Sequence, residues 1–237
     1  MNSGTVRNVS FFAVFAVFAF LPIASASPAP ATLDAWHRYA AGLEQQLDRA
    51  RGAARSVPHD TLTASGQSIP VPSGTISHWH GSVFIRGVTL ERVLAGLTNP
   101  GTPPPQADVV AARVLARDAC SVRVYIRLVR HAIVTATYDT EHQMTFTRHS
   151  PTLATARSVA TRIEEVGGDR GFLWRLHSYW RYEQQPGGVL VELDSLTLSR
   201  SVPALVRPVA MPLVNQVARE SMTRTLEALK QFFEKSA

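Results

Sequence analysis

Cysteine occurs once in 237 residues, at Cys120. A lone thiol excludes an intramolecular disulfide, so the fold must stand on its apolar core. Lysine occurs only at Lys230 and Lys235, and every other basic side chain is an arginine. The formal net charge is +6, yet the arginines are scattered, with no basic run and no basic stripe along a helix. Counterion-release binding needs several cations facing one backbone. A solvated basic surface is therefore expected and nucleic acid is not, while affinity for an anionic membrane surface stays open. Catalytic signatures are missing as well. The chain has no G-x-S-x-G elbow, no H-E-x-x-H, no phosphate-binding glycine loop and no dinucleotide fingerprint. Nor is there an apolar run long enough to span a bilayer, which takes roughly 20 residues.

The longest such run, "FFAVFAVFAFLPI" over residues 11–23, is preceded by a single charge at Arg7 and followed by Ala24-Ser25-Ala26. That layout is a secretory signal peptide, residues 1–26, with an uncleaved signal-anchor as the alternative. Export to the periplasm or the medium follows. The full 237 residues are 45% hydrophobic, enough for one core. It divides into an N-terminal helix and linker, 27–66, and one domain, 67–237.

Leu33, Trp36, Ala40, Leu43, Leu47, Ala50 and Ala54 recur in steps of three and four, which predicts an amphipathic helix from Leu33 to Arg55. Its alanine-rich seam suits packing on its own domain, with docking to another chain as the alternative. Residues 56–74 carry Pro58, Gly66, Pro70, Pro72 and Gly74 and are expected to be linker. A strand follows from Thr75 to Ile85. Thr89 is placed to cap a short helix through Leu97. Val109–Ala116 is read as a helical turn running into a strand. Val122–Leu128, Ile133–Asp139, Met144–Arg148, Thr155–Glu165, Phe172–Glu183 and Val189–Ser199 are predicted strands, with a reversal at Arg130-His131. Gln185-Pro186-Gly187-Gly188 is the clearest hairpin signal. An amphipathic helix from Leu213 to Lys235 closes the chain.

This order resembles the helix-grip fold of the START-like superfamily, which also covers Bet v 1-like proteins and polyketide cyclases (SRPBCC). "FIRGVTLERVLAGL" and "DVVAARVLARDACSVRVYIRLV" are similar to its first strand, helix and second strand pair. "GFLWRLHSYWRYE" and "PVAMPLVNQVARESMTRTLEALKQFF" resemble its late strand and lid helix. The resemblance implies an α+β fold, a curved antiparallel sheet wrapped on a long C-terminal helix, with an added N-terminal amphipathic helix. It also implies an internal cavity that takes a hydrophobic small molecule or lipid. An enzyme of cyclase or hydrolase type, acting on a hydrophobic substrate in that cavity, is the alternative.

Strand alternation then nominates the lining. Phe172, Trp174, Trp180 and Tyr182 share one face, and Leu213 and Val217 come from the terminal helix. The other face carries Arg175 and His177, with Glu192 on the next strand. It is expected as an outward charged ladder, and it becomes a set of polar anchors only if it turns inward. The Pro-rich loop from Thr98 to Asp108 is expected to gate access. His78 and His80, flanking Trp79, share a strand face, but no spacing supplies the further ligands that a metal needs, so neither metal nor cofactor is expected. Glu164 and Glu165 face opposite ways, and Cys120 has no marked base. If the signal is removed, the intact mass of protein recovered outside the cytoplasm will correspond to residues 27–237. A retained Met1–Ala26 mass there overturns the cleavage site.

Overall fold

In a computed structural model, residues 27–53, 55, 61–98, 108–131, 135–168, 170–203, 205 and 207–235 are described. The expected signal peptide, residues 99–107 of the loop expected to gate access, and residues 132–134 lie outside these residues. Helix α1 spans Pro30–Arg49, followed by strands β1 (Thr63–Val71) and β2 (Gly74–Arg86) and helix α2 (Leu90–Thr98). Strands β3 (Val109–Arg117), β4 (Ser121–His131), β5 (Thr135–Ser150) and β6 (Leu153–Glu165) come next. Then come β7 (Arg175–Gln185), β8 (Gly188–Arg200) and helix α3 (Arg207–Glu234). The strands form one antiparallel sheet in the order β1-β2-β8-β7-β6-β5-β4-β3.

α3 lies on one face of the sheet and α1 on the other. At 28 residues and 1.5 Å per residue, α3 is about 42 Å long. Its buried side chains Met222, Leu226, Leu229 and Phe233 step by four, three and four. They pack on Val83, Ile85, Val189, Val191 and Leu193, the inward side chains of β2 and β8. Contact here is backbone-close. A Cβ at Gly81 would sit 2.7 Å from Leu226 Cδ1 and 2.9 Å from Met222 Cγ.

On the opposite face Trp36, Ala40 and Leu43 of α1 pack on Ile76, Trp174, Tyr179, Leu196 and Leu198. The first turn is pinned where Thr32 Oγ1 donates to Pro72 O at 2.5 Å. The alanine seam is thus spent on its own domain.

Several local expectations hold for the reasons given. Thr89 Oγ1 accepts the Arg92 N–H at 3.3 Å and caps α2. Pro186-Gly187 turns β7 into β8 with Gly187 at φ 85°, a conformation that glycine supplies without strain.

Others change. The expected linker contains β1, an edge strand of small and polar residues whose pairing with β2 is carried by the backbone, so side-chain alternation did not mark it. Pro70 is tolerated there because an edge strand need not donate on its outer side. β3 is strand throughout, also at the sheet edge. The segments expected at 133–139 and 144–148 share one 16-residue strand, Thr135–Ser150, in which Thr140 and His142 of the intervening polar stretch are buried. α3 begins six residues before Leu213, with Pro212 inside it. The loss of one N–H in the second turn does not end the helix.

If α1 belongs to the domain's core, Trp36→Ala will lower unfolding stability by about 3–5 kcal/mol, the usual range for a buried aromatic. Urea unfolding measures this. A variant as stable as the parent overturns it.

Candidate functional site

The inward face of the sheet is chemically divided. Beneath α3, the side chains of β2 and β8 are fully buried. Away from it, register places Val124 and Ile126 of β4, Met144 and Phe146 of β5 and Trp180 of β7 on the same face. All of these are only half-buried. Between β5 and β7, β6 presents Ala154, Ala156, Ser158 and Ala160, a row of small side chains. Trp180 and Tyr182 stack beside that row with ring planes 2° apart. Large apolar walls around a floor of small residues make a trough with an apolar, partly wetted surface.

One polar cluster lies in this trough. His142 is 5% exposed, and its Nε2 is 3.0 Å from Thr140 Oγ1. Thr140 donates its own proton to Ile126 O at 2.9 Å, so its oxygen can only accept. The imidazole therefore carries its proton on Nε2 and offers Nδ1 as an acceptor. The nearest donor to Nδ1 is Ser158 Oγ, at 3.4 Å, a long contact. Burial pushes the His142 pKa down to about 4, which keeps the ring neutral.

The far rim is tied to α3 by charge. Arg130 at the end of β4 donates to Asp108, and to Ser221 Oγ on α3 at 2.6 Å. Arg224 Nη2 meets Asp108 Oδ2 at 3.0 Å. The sheet bends far enough for its last strands to reach the helix flank. Helical spacing puts Val217 on the same flank as Ser221, and Val217 is half-buried.

The nominated residues separate accordingly. Trp180 stands half-buried on the trough face, whereas Tyr182, on the same face, is 1% exposed and sealed in the core beneath α3. Trp174 lies with α1 on the other face. Its N–H donates to Leu198 O at 2.7 Å, while Arg175 also faces Leu198. Two residues oppose one, and the alternation slips by one place there. Phe172 is outside β7 and exposed, with the Arg170 guanidinium 5.0 Å above its ring. Leu213 is exposed because its nine-residue separation from Met222 puts it on the opposite side of α3 from the packing residues.

The candidate anchors Arg175, His177 and Glu192 all lie on the α1 side. Arg175 Nη1 donates to Trp174 O at 2.8 Å. His177 meets Trp36 edge-on at 5.0 Å, and burial takes its pKa down to about 4. Glu192 accepts from Arg181 at 2.9 Å, and Arg181 also donates to Glu183, a charged ladder.

The same face holds the H-x-H pair. His78 Nε2 and His80 Nδ1 bind the two oxygens of Asp194 at 2.9 and 3.2 Å. The Tyr39 hydroxyl sits 2.9 Å from His78 Nδ1. The hydrogen bond to Asp194 raises the His80 pKa. Burial works to raise Asp194, but the two imidazoles outweigh it and hold the carboxyl below its usual range. Among the described residues, no three His, Cys, Asp or Glu side chains converge as metal ligands.

Two hollows open at the ends of the sheet. One, of about 680 Å³, lies between the start of α3 and β1, beside Pro70, Met211 and Pro212. The other, of about 520 Å³, adjoins Ile163–Gly168. Neither is lined by Trp180, Tyr182 or His142.

No protein-family model matches the sequence, and no curated protein matches it. Solved structures do. A STAR-related lipid transfer protein fragment from Xanthomonas axonopodis overlays with a TM-score of 0.51 at 16% identity, over 70% of this chain and 97% of that one. The fold is START-like helix-grip. A START superfamily protein from Mycobacterium smegmatis (TM-score 0.47, 12% identity, 68% of this chain and 99% of that one) overlays more loosely. So does the Zhui aromatase/cyclase from Streptomyces sp. R1128 (0.46, 13%, 68% and 94%). In this START-like sheet, sequence patterning put Trp180 and Tyr182 on one strand face, which the register turns inward, and did not mark His142. The polar run Thr140-Glu141-His142-Gln143 carried no apolar alternation to mark an inward face.

The titrations have signs. A histidine depressed from 6.5 to about 4 leaves the unfolded chain binding more protons in that window, so stability falls as pH drops from 6.5. At 1.36 kcal/mol per pH unit, His142 accounts for up to about 3 kcal/mol. His80, raised, works oppositely: its contribution is complete below pH 6.5 and is lost as pH rises through its folded pKa. Asp194 contributes above its unfolded value and loses that contribution as pH falls through its lowered one. His142→Gln will therefore lose about 2–3 kcal/mol less stability than the parent between pH 7 and 4.5. Equal losses in urea unfolding at the two pH values overturn the assignment.

Proposed function

We propose that the protein, after export, holds an apolar or lipid-like small molecule on the inward face between β4–β7 and the flank of α3. The observation that carries this reading is the half-buried set Val124, Ile126, Met144, Phe146 and Trp180 around one neutral buried imidazole. Covering those side chains with a ligand removes apolar area from water at about 25 cal/mol per Å². His142 Nδ1 then accepts a hydroxyl proton from the ligand, and the Ser158 hydroxyl can donate to the ligand oxygen. The STAR-related lipid transfer protein that shares this fold supports a hydrophobic ligand class.

Catalysis is less well supported. Ser158 and His142 could be drawn as nucleophile and base, but among the described residues no carboxylate contacts the imidazole. A ring with a pKa near 4 is a weak base at neutral pH.

Native mass spectrometry of protein recovered from its own exported fraction is expected to show a co-purifying apolar adduct. Val124→Trp, which fills the trough from a half-buried position, will abolish the adduct while the protein stays folded. In a displacement assay with cis-parinaric acid as probe, a long-chain alcohol will compete about fivefold better than the matching alkane. That is the worth of one hydrogen bond of about 1 kcal/mol, and His142→Val will erase it. An adduct-free mass together with no binding of the probe overturns the reading.

A further inference from the structure

The start of α3 presents large apolar side chains to water. Leu205 is 87% exposed, Val209 77% and Leu213 39%. Steps of four put Val209 and Leu213 on one side of the helix, with Leu205 in the turn ahead of it. The packing side runs instead through Ala210, Met222, Leu226, Leu229 and Phe233. An apolar stripe of this kind, directed away from the core, marks a contact surface.

The charge around it has one sign. From Ser195 to Arg219 the chain contains Arg200, Arg207 and Arg219 and no Asp or Glu. The adjoining hollow of about 680 Å³ has Arg207 as the one charged residue in its lining. Carboxylates at this end of the sheet are held by arginines: Glu165 by Arg170, Asp139 by Arg127, and Asp108 by Arg130 and Arg224. Pro203, Pro208 and Pro212 restrict the backbone here, so the stripe cannot readily fold its side chains inward.

The first turn of α1 borders the same region. Thr32 bonds to Pro72 O in the β1–β2 turn. Pro70 and Thr75, on either side of that turn, line the same hollow as Pro208 and Pro212.

We propose that this end of the molecule docks on a lipid bilayer bearing anionic headgroups. Leu205, Val209 and Leu213 enter the headgroup–acyl boundary, and Arg200 and Arg207 meet phosphates. Arginine without Asp or Glu along residues 195–219 distinguishes this from an interface with a second copy, whose matching stripe would bring like charges together. The proposal stands apart from whether the trough holds a ligand.

The test uses the chain as the cell releases it, with its N-terminus fixed by intact mass. In a Cys120→Ser background, Val209→Cys carries an environment-sensitive NBD fluorophore. Val110→Cys, exposed on β3, carries the same label as reference. On adding phosphatidylcholine vesicles containing roughly a third phosphatidylglycerol, the label at 209 is expected to brighten severalfold and shift to the blue. The reference label stays constant. Leu205→Ser with Leu213→Ser will weaken vesicle affinity about tenfold. Arg200→Gln with Arg207→Gln will abolish the preference over phosphatidylcholine alone. A label at 209 that ignores vesicles overturns the proposal. So does a shift that follows protein concentration without lipid, which marks a second copy. A label already blue-shifted in the lipid-free monomer does the same, because the chain then covers its own stripe.

Discussion

Pairing of β2 with β8 joins residues that lie more than a hundred positions apart, from Gly74 with Arg200 to Arg86 with Gly188. Both helices depend on this ladder. α3 rests on Val83, Ile85, Val189, Val191 and Leu193, and α1 rests on Ile76, Leu196 and Leu198 of the same two strands. Closing so long a loop costs chain entropy before any contact repays it. The reward is correspondingly concentrated, with apolar side chains buried on both faces of one strand pair. Gly81 lets α3 come down onto the backbone at the centre of that pair.

Because β2 and β8 carry the packing, β4–β7 are released from it. Their inward side chains need not be sealed by a helix, and many remain half-buried. The two faces of the sheet consequently have different chemistry. The α1 face is charged and internally paired, through Arg181 with Glu192 and Glu183 and through Asp194 with two imidazoles. The α3 face is apolar and electrically neutral until its rim, where Asp108, Arg130 and Arg224 tie strand to helix. A neutral interior favours an uncharged guest, since desolvating an ion without a partner is costly.

His142 shows how a polar residue becomes tolerable there. Thr140 fixes its tautomer because the threonine hydroxyl proton is already given to Ile126 O. With no carboxylate near it, burial alone sets its titration. The same absence separates it from His80, whose contact with Asp194 favours the charged form. Two histidines in one sheet are thus driven in opposite directions by the presence or absence of one acceptor.

Much of this was legible in sequence. Period-two alternation gave β4 and most of β7, the Pro-Gly turn gave the β7–β8 hairpin, and period 3.6 gave α1 and the packing side of α3. Elements that bury little were harder to read. β1 and β3 are edge strands held by backbone pairing, and the backbone has no signature in side-chain pattern. Of the inward face, the shared side of Trp180 and Tyr182 was legible. Trp174 left that face because one extra residue opposite Leu198 shifts the alternation, and Leu213 left it because it stands half a turn away from the packing side of α3. By itself, the sequence determined which segments are amphipathic and with what period, because that depends only on local spacing. Which face of each strand met which helix, and that His142 lies inward beside Thr140 and Ser158, was decided by tertiary register. Register is set by partners far away in the chain, and a one-residue slip exchanges the two faces.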